Sequence, residues 1–340
     1  MTIAHLHVAD TKNRGDVAIV LAVQELLRKK FPRCRILDIP LDHLKKGLSR
    51  AEIATINRSA FALIGGGGIY YRYFLPFDYK SIHAITTPIV LFGVGYIREL
   101  GARPLAQHEI RSAIALNQAA TLSSVRDDYT KAWLVRHGVP SRTVQVIGDP
   151  AALLSEQKPQ HFSRSGTIRV GVNLNYSGWL GFGRYQEHII KSYNEVIRYF
   201  ESRGASIFYL QHHPDERRIY PQLAAKKMQV VFRAPREQKY IYGTMDMIIG
   251  MMLHSVVLAF GAGTPIVTVG YDLRNTSFVR FIKHPELVIR ADQLSSKSLL
   301  LLAQTVYRRR AAYRTDFSKR KKMIARAHAT FLKKIQELIV

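Results

Sequence analysis

His254, Asp272 and Arg274 stand close together in the segment Gly250 to Arg274, which reads GMMLHSVVLAFGAGTPIVTVGYDLR. An imidazole can take and return a proton near neutral pH, and a guanidinium can clamp a carboxylate or phosphate through paired hydrogen bonds. Met245–Ile249 reads as a buried strand, Ser255–Phe260 as an apolar helical stretch, and Ile266–Val269 as a second buried strand ending at Gly270-Tyr271-Asp272. Gly261-Ala262-Gly263-Thr264-Pro265 breaks the chain between them. His254 then follows the carboxyl end of one strand, and Asp272 and Arg274 follow the next. In open α/β sheets that rim is where ligands bind.

Other strand ends carry similar groups. Asn13-Arg14-Gly15-Asp16 lies between the first strand and the first helix. Asp16 can cap that helix, or the free amides there can hold an anion or a sugar hydroxyl. Gly65-Gly66-Gly67-Gly68 follows a strand and permits close approach of backbone to a ligand, so Gly66 and Gly67 are candidates for shaping an acceptor loop. The run lacks the lysine of a phosphate-binding P-loop and the spacing of a dinucleotide fingerprint. Arg126, in Ser124-Val125-Arg126-Asp127, is placed to bind an anion or to make an interdomain ion pair, with Asp127 or Asp128 capping the next helix. Asp149, in Gly148-Asp149-Pro150, can hold a neighbouring loop or a ligand hydroxyl. His212 and His213 end a later strand, but no third ligand stands nearby in sequence, so no metal site is expected.

These groups need elements to carry them. Strands are expected at Ile3–Val8, Cys34–Ile39, Phe61–Ile64, Pro88–Phe92, Ala119–Val125 and Val144–Ile147, with helices at Val17–Lys30, Ile110–Asn117 and Tyr129–His137. After a polar linker, Gln157–Gly166, a second series runs Ile168–Leu174, a helix near Tyr185–Arg203, Ala205–Leu210, Met228–Phe232, and the two strands above. Continuous apolar strands alternating with helices argue parallel sheets. The expected fold class is α/β: two Rossmann-like domains, residues 1–157 and 166–290, facing a cleft as in the two-domain B-type glycosyltransferases. Residues 291–340 form a basic helical segment expected to cross back and brace the first domain.

The chain has 340 residues, enough for two cores, and a net charge of +25 that implies acidic partners. Lys297–Val340 carries twelve basic residues against two acids, clustered at Arg308–Arg310 and Lys319–Lys322. Ile324, Ala327, Phe331, Ile335 and Leu338 give this segment an apolar face. On one helix the two clusters lie roughly 15 Å apart and could meet an anionic membrane leaflet together, or form a solvated face. No motif for a specific nucleic acid accompanies the charge. No apolar run spans a bilayer and no secretory signal opens the sequence, so the expected site of action is the cytoplasm, peripheral to the inner face of the membrane. The lone Cys34 fits a reducing compartment and reads as a buried structural thiol.

Taken in order, NRGD, GGGG, SVRD, GDPA, LHS and GTPIVTVGYDLR make the chain resemble the polysaccharide pyruvyl transferases across Ala9 to Phe281. The resemblance implies transfer of a pyruvyl group from phosphoenolpyruvate to two hydroxyls of a cell-surface or exopolysaccharide sugar as a cyclic ketal. Phosphoenolpyruvate is then the co-substrate, with no cofactor or metal, and the partner is a saccharide acceptor expected to be lipid-linked. The resemblance further implies that Arg126, His254 and Arg274 meet the donor; a histidine of near-neutral pKa at position 254 could exchange the protons. Two positions depart from the pattern: Met252 stands where an arginine is usual, and Leu273-Arg274 replaces Pro-Lys. The alternatives are a nucleotide-sugar-dependent glycosyltransferase of the same layout, or a non-catalytic scaffold of a polysaccharide assembly complex.

Overall fold

The computed structural model describes residues 1–162, 168–176 and 182–339; residues 163–166 of the expected linker lie outside them. In the first half, β1 (Thr2–His7), β2 (Arg35–Pro40), β3 (Ala62–Tyr70), β4 (Ile89–Tyr96), β5 (Leu122–Val125) and β6 (Val144–Val146) pair in parallel in the order β2-β1-β3-β4-β5-β6. In the second, β7 (Arg169–Asn173), β8 (Ser206–Leu210), β9 (Met228–Val231), β10 (Met247–Gly250), β11 (Ile266–Gly270) and β12 (Val288–Arg290) form a parallel sheet in the order β12-β11-β10-β7-β8-β9. β4, β7, β10 and β11 are buried along their whole length, as both faces of a parallel sheet require.

The helices of the first half are α1 (Arg14–Lys30), α2 (Leu41–Lys46), α3 (Arg50–Asn57), α4 (Tyr79–Ala84), α5 (Gln107–Ala119) and α6 (Asp128–Arg136). Those of the second are α7 (Phe182–Glu201), α8 (Pro235–Gly243), α9 (Leu253–Gly261), α10 (Leu273–Phe281), α11 (Ser296–Arg308) and α12 (Arg310–Glu337). α2, α3 and α4 are too short for their periodicity to stand out in sequence.

Two strands run further than their apolar residues suggest. β3 continues through Gly65–Gly68 to Tyr70, and β4 through Gly93–Gly95 to Tyr96, with Gly65 paired to Phe92 and Gly67 to Val94. Gly65–Gly68, expected as a loop, is therefore strand, because ladder pairing needs only backbone. Gly65 has φ 144°, and a Cβ there would collide with the Phe92 carbonyl. Cys34 precedes β2 and is half-buried, not buried as expected.

The closing segment also departs from one expectation. α11 ends at Arg308 and α12 begins at Arg310, so the first basic cluster straddles a break and only its Arg310 shares a helix with Lys319–Lys322. α11 packs along α7, whereas α12 returns to the first half. There Phe331 and His328 lie against Phe92, with ring centroids 5.8 and 5.4 Å away. One apolar core accordingly runs from Ile3 and α1 through the second sheet to Ile335. Lys239, fully buried, ties the halves by donating to the carbonyls of Ala152 (2.8 Å) and Leu154 (2.6 Å).

Strand order locates the cleft. In the first sheet the chain moves outward from β1 to β2, then returns to β3 on the other side of β1; in the second the same reversal separates β7 from β10. Each reversal leaves a crevice at the carboxyl ends of the two strands. The halves meet there, through Arg14 N–H to His212 O (2.8 Å), Leu100 N–H to Tyr271 O (3.0 Å) and Leu273 N–H to Arg98 O (3.1 Å).

Candidate active site

Both crevices open into a single cavity of about 540 Å³. Asp10, Asn13, Asp16, Gly68 and Tyr71 line it from the first half, and Asn175, Tyr176, Met252, His254 and Arg274 from the second. α1, α9 and α10 all begin at this wall, so three helix dipoles favour negative charge inside. Asn13, not Asp16, caps α1, its Oδ1 accepting Gly15 N–H at 2.9 Å. Met252 caps α9 without a side-chain hydrogen bond, its own N–H donating to Asn173 Oδ1 at 3.1 Å. Asp272 caps α10 by accepting Arg274 N–H at 2.8 Å.

Behind the wall lies a buried charged cluster. Arg126 Nη1 is 3.7 Å from Asp149 Oδ2, and His254 Nε2 is 3.8 Å from the same oxygen. Arg126 Nε is 3.4 Å from Asp127, whose other oxygen caps α6 by accepting Thr130 N–H. None of these separations is a hydrogen bond. All three side-chain nitrogens of Arg126, the His254 Nε2 and the Asp149 Oδ2 are buried without a hydrogen-bond partner among the described residues. A buried guanidinium left this way costs several kcal/mol unless something satisfies it. Two glycines make the room: a Cβ on Gly95 would run into the Arg126 guanidinium, and one on Gly15 into the His254 ring.

Arg274 is held differently. Its Nε donates to Asp272 Oδ2 at 2.6 Å, and its Nη2 donates to the Tyr271 hydroxyl at 2.8 Å and also pairs with Asp272. The Arg274 guanidinium is thus hydrogen-bonded to an internal carboxylate, whereas Arg126 has carboxylates nearby but no side-chain hydrogen bond.

Protonation follows burial. Desolvation, reinforced by Arg126 and Arg274, holds His254 well below the usual histidine range, so its imidazole is neutral. The near-neutral histidine expected from ordinary imidazole chemistry is thus corrected. Asp16 has the opposite shift: enclosure, then the neighbouring Asp10, pushes its carboxyl up to about 7 against the pull of Arg274 and Arg126. Burial also raises Asp149, although Arg126 opposes the shift. The group nearest neutrality in the cavity wall is therefore a carboxyl.

Of the residues singled out in sequence, Asn13, Asp16, His254 and Arg274 line the cavity, while Arg126, Asp149 and Asp272 stand directly behind them. Gly66 and Gly67 do not reach it: a Cβ on either would lie nearest Ile19 of α1, and only Gly68 of that run faces the cavity. His212 is buried with Nε2 2.6 Å from the Tyr242 hydroxyl, and His213 stacks on Tyr176 at 4.3 Å. Away from the cavity, His5, His7 and Asp38 bring one ligand atom each within 4.8 Å of one another, with His7 Nε2 already 3.0 Å from Asp38. Tyr71, Asn175 and Tyr176 lie outside the motifs read in sequence, and only the assembled cleft gives them, Gly15 and Gly95 a role.

A family model described as polysaccharide pyruvyl transferase matches residues 13–272. No curated protein matches the sequence. Among solved structures, Anabaena HepE in complex with UDP-glucose superposes with a TM-score of 0.59 at 12% identity, covering 99% of this chain and 98% of that one. The UDP complex of S. aureus MnaA gives a TM-score of 0.59 at 10% identity over 89% and 87%. UDP-GlcNAc 2-epimerase from Neisseria meningitidis, bound to UDP-GlcNAc, gives 0.56 at 12% identity over 96% and 99%. At such identities the likeness establishes the fold: two Rossmann-like domains in an α/β arrangement.

Proposed function

Because the chain belongs to the polysaccharide pyruvyl transferase family, and is therefore a transferase, we propose that it moves the pyruvyl group of phosphoenolpyruvate onto two hydroxyls of a surface-polysaccharide sugar as a ketal. The observation that carries this reading is the Arg126 guanidinium and the His254 Nε2, both without a hydrogen bond, the first just behind and the second in the wall of a cavity that three helix N-termini make receptive to anions.

Arg126 and Arg274 would take the phosphate and carboxylate of the donor. Protonation of the methylene carbon leaves the adjacent carbon cationic, and the first sugar hydroxyl adds to it, losing its proton. A carboxyl near pKa 7 at Asp16 suits both transfers, giving a proton to carbon and taking one from the hydroxyl. Neutral His254 can hydrogen-bond the reacting oxygens and accept a proton once donor charge offsets the two arginines. Breaking the carbon–oxygen bond to phosphate then lets the second hydroxyl close the ketal, its proton leaving on the phosphate. The arginines stabilise that departing charge.

The acceptor in this reading is lipid-linked and met at an anionic cytoplasmic leaflet. No described helix is long and apolar enough to cross a membrane, so contact would be through the basic surface. The rival reading, a nucleotide-sugar-dependent glycosyltransferase, draws on the UDP and UDP-glucose named for the structural neighbours. Thermal protection separates the two. Phosphoenolpyruvate should raise the melting temperature, and incubation with lipid-linked oligosaccharides should add a ketal mass. Protection by UDP-sugars alone would favour the rival, and acceptor binding without turnover would favour a scaffold.

A further inference from the structure

A second cavity, of about 520 Å³, adjoins the first and shares Tyr71, Tyr73 and Ile97 with it. Its walls carry Arg72, Arg98 and Arg103 from the first half and Arg184 from α7 of the second, against one acid, Glu99. Two of these cations are held in place by one loop. Arg72 Nη2 donates to the carbonyls of Arg103 (3.4 Å) and Pro104 (3.0 Å), and Arg98 Nη2 donates to that of Ala102 (3.5 Å). Arg72 Nε also lies 3.8 Å from Glu109, whereas Arg103 and Arg184 are exposed and make no ion pair among the described residues, and Arg184 reaches across the cleft toward Gly101. Tyr96 and Tyr185 add aromatic surface.

We propose that this cavity is an acceptor subsite selective for an anionic saccharide, a sugar bearing a phosphate or carboxylate group. The assignment rests on the transferase reading for its role, but not for its ligand chemistry. A sugar lying across the shared wall of Tyr71, Tyr73 and Ile97 turns hydroxyls toward Asp16 and His254 in one cavity. Its charged substituent then lies among the arginines of the other. Guanidinia already fixed by backbone carbonyls lose little freedom on binding an oxyanion, and aromatic rings accept the apolar face of a pyranose. Arg184 comes from the opposite half, so occupancy also bridges the cleft.

The test titrates the full-length protein, saturated with phosphoenolpyruvate, with glucose 1-phosphate, glucuronate, glucose and inorganic phosphate, following heat. The two anionic sugars should bind about tenfold or more tightly than glucose, the scale of a charge-assisted contact. Which of the two binds tighter assigns the natural anion to phosphate or carboxylate. Arg103→Ala/Arg184→Ala should remove that preference while leaving phosphoenolpyruvate affinity intact, and Arg308→Ala/Arg309→Ala, equal in charge change, should leave it in place. Equal binding of glucose and its phosphate, or an unchanged preference in the Arg103/Arg184 variant, overturns the proposal, as does equal loss in both variants. If phosphoenolpyruvate fails to bind while glucose 1-phosphate still shows the arginine dependence, the subsite stands and the pyruvyl-transfer reading falls.

Discussion

Gly15, in the first turn of α1, lies directly against the imidazole of His254 from the opposite half of the molecule. The ring occupies the space a Cβ would need. Gly15 does not have a positive φ, so alanine there brings no backbone strain, only displacement of the ring. Gly15→Ala should therefore lower turnover while leaving the fold intact, and should approach the roughly 10²–10⁴-fold loss expected of His254→Ala if the imidazole takes part in proton transfer. Near-normal turnover in a folded His254→Ala would remove that residue from the chemistry.

Arg126 and Arg274 should not contribute equally. Loss of a charged hydrogen bond weakens binding by about 1.5–3 kcal/mol. Arg126 has no hydrogen bond to give up when it meets the donor, whereas Arg274 is already engaged by Asp272 and Tyr271. Phosphoenolpyruvate affinity, measured by calorimetry, should fall further in Arg126→Ala than in Arg274→Ala. Unchanged affinity in both would place the donor elsewhere.

The pH profile should follow Asp16. Its carboxyl, raised to about 7 in the folded protein, donates only while protonated. Hence kcat/KM for phosphoenolpyruvate should be highest on the acid side and decline as pH rises through about 7. Asp16→Asn should lose most turnover and, in whatever remains, this decline. The same shift opposes stability: the folded protein holds a proton that the unfolded chain releases above its ordinary carboxylate range, so raising pH toward 7 disfavours folding at this residue. Thermal melts of Asp16→Asn should show a shallower fall over that window.

Met252 lines the cavity and is half-buried, with its backbone held by Asn173. An arginine there can extend into the cavity without displacing core packing. Met252→Arg should fold and bind phosphoenolpyruvate more tightly, by the same calorimetry. A folded variant with weaker binding would show that the site has been rebuilt around the thioether.

The basic tail gives a narrower membrane prediction than its sequence suggested. Arg310 lies 3.7 Å from Asp246, Lys321 donates to Gly261 O, and Arg320 lies 3.3 Å from Asp316, so part of each cluster is engaged within the protein. Arg308, Arg309, Lys319 and Lys322 remain exposed. Neutralising these four should abolish salt-sensitive sedimentation with anionic liposomes and leave turnover on a soluble acceptor unchanged. Sedimentation that is equal with neutral liposomes, or absent with both, would leave α12 as a brace alone.

The sequence by itself determined most of the strands, the longer helices and the order in which chemical groups follow them. Strands buried on both faces are mostly apolar, so β10 and β11 announce themselves, and His254, Arg126, Asp149 and Arg274 are found by standing just beyond strand ends. Local pattern says nothing about which strand lies beside which. Only the tertiary structure decided that the two reversals of strand order face each other, that Arg126 passes beneath Gly95 to share Asp149 with His254, and that Gly66 and Gly67 turn toward α1. Protonation was equally hidden. A carboxyl and an imidazole carry their ordinary affinities along a chain, and enclosure within the assembled cleft is what drives Asp16 up, to about 7, and His254 down.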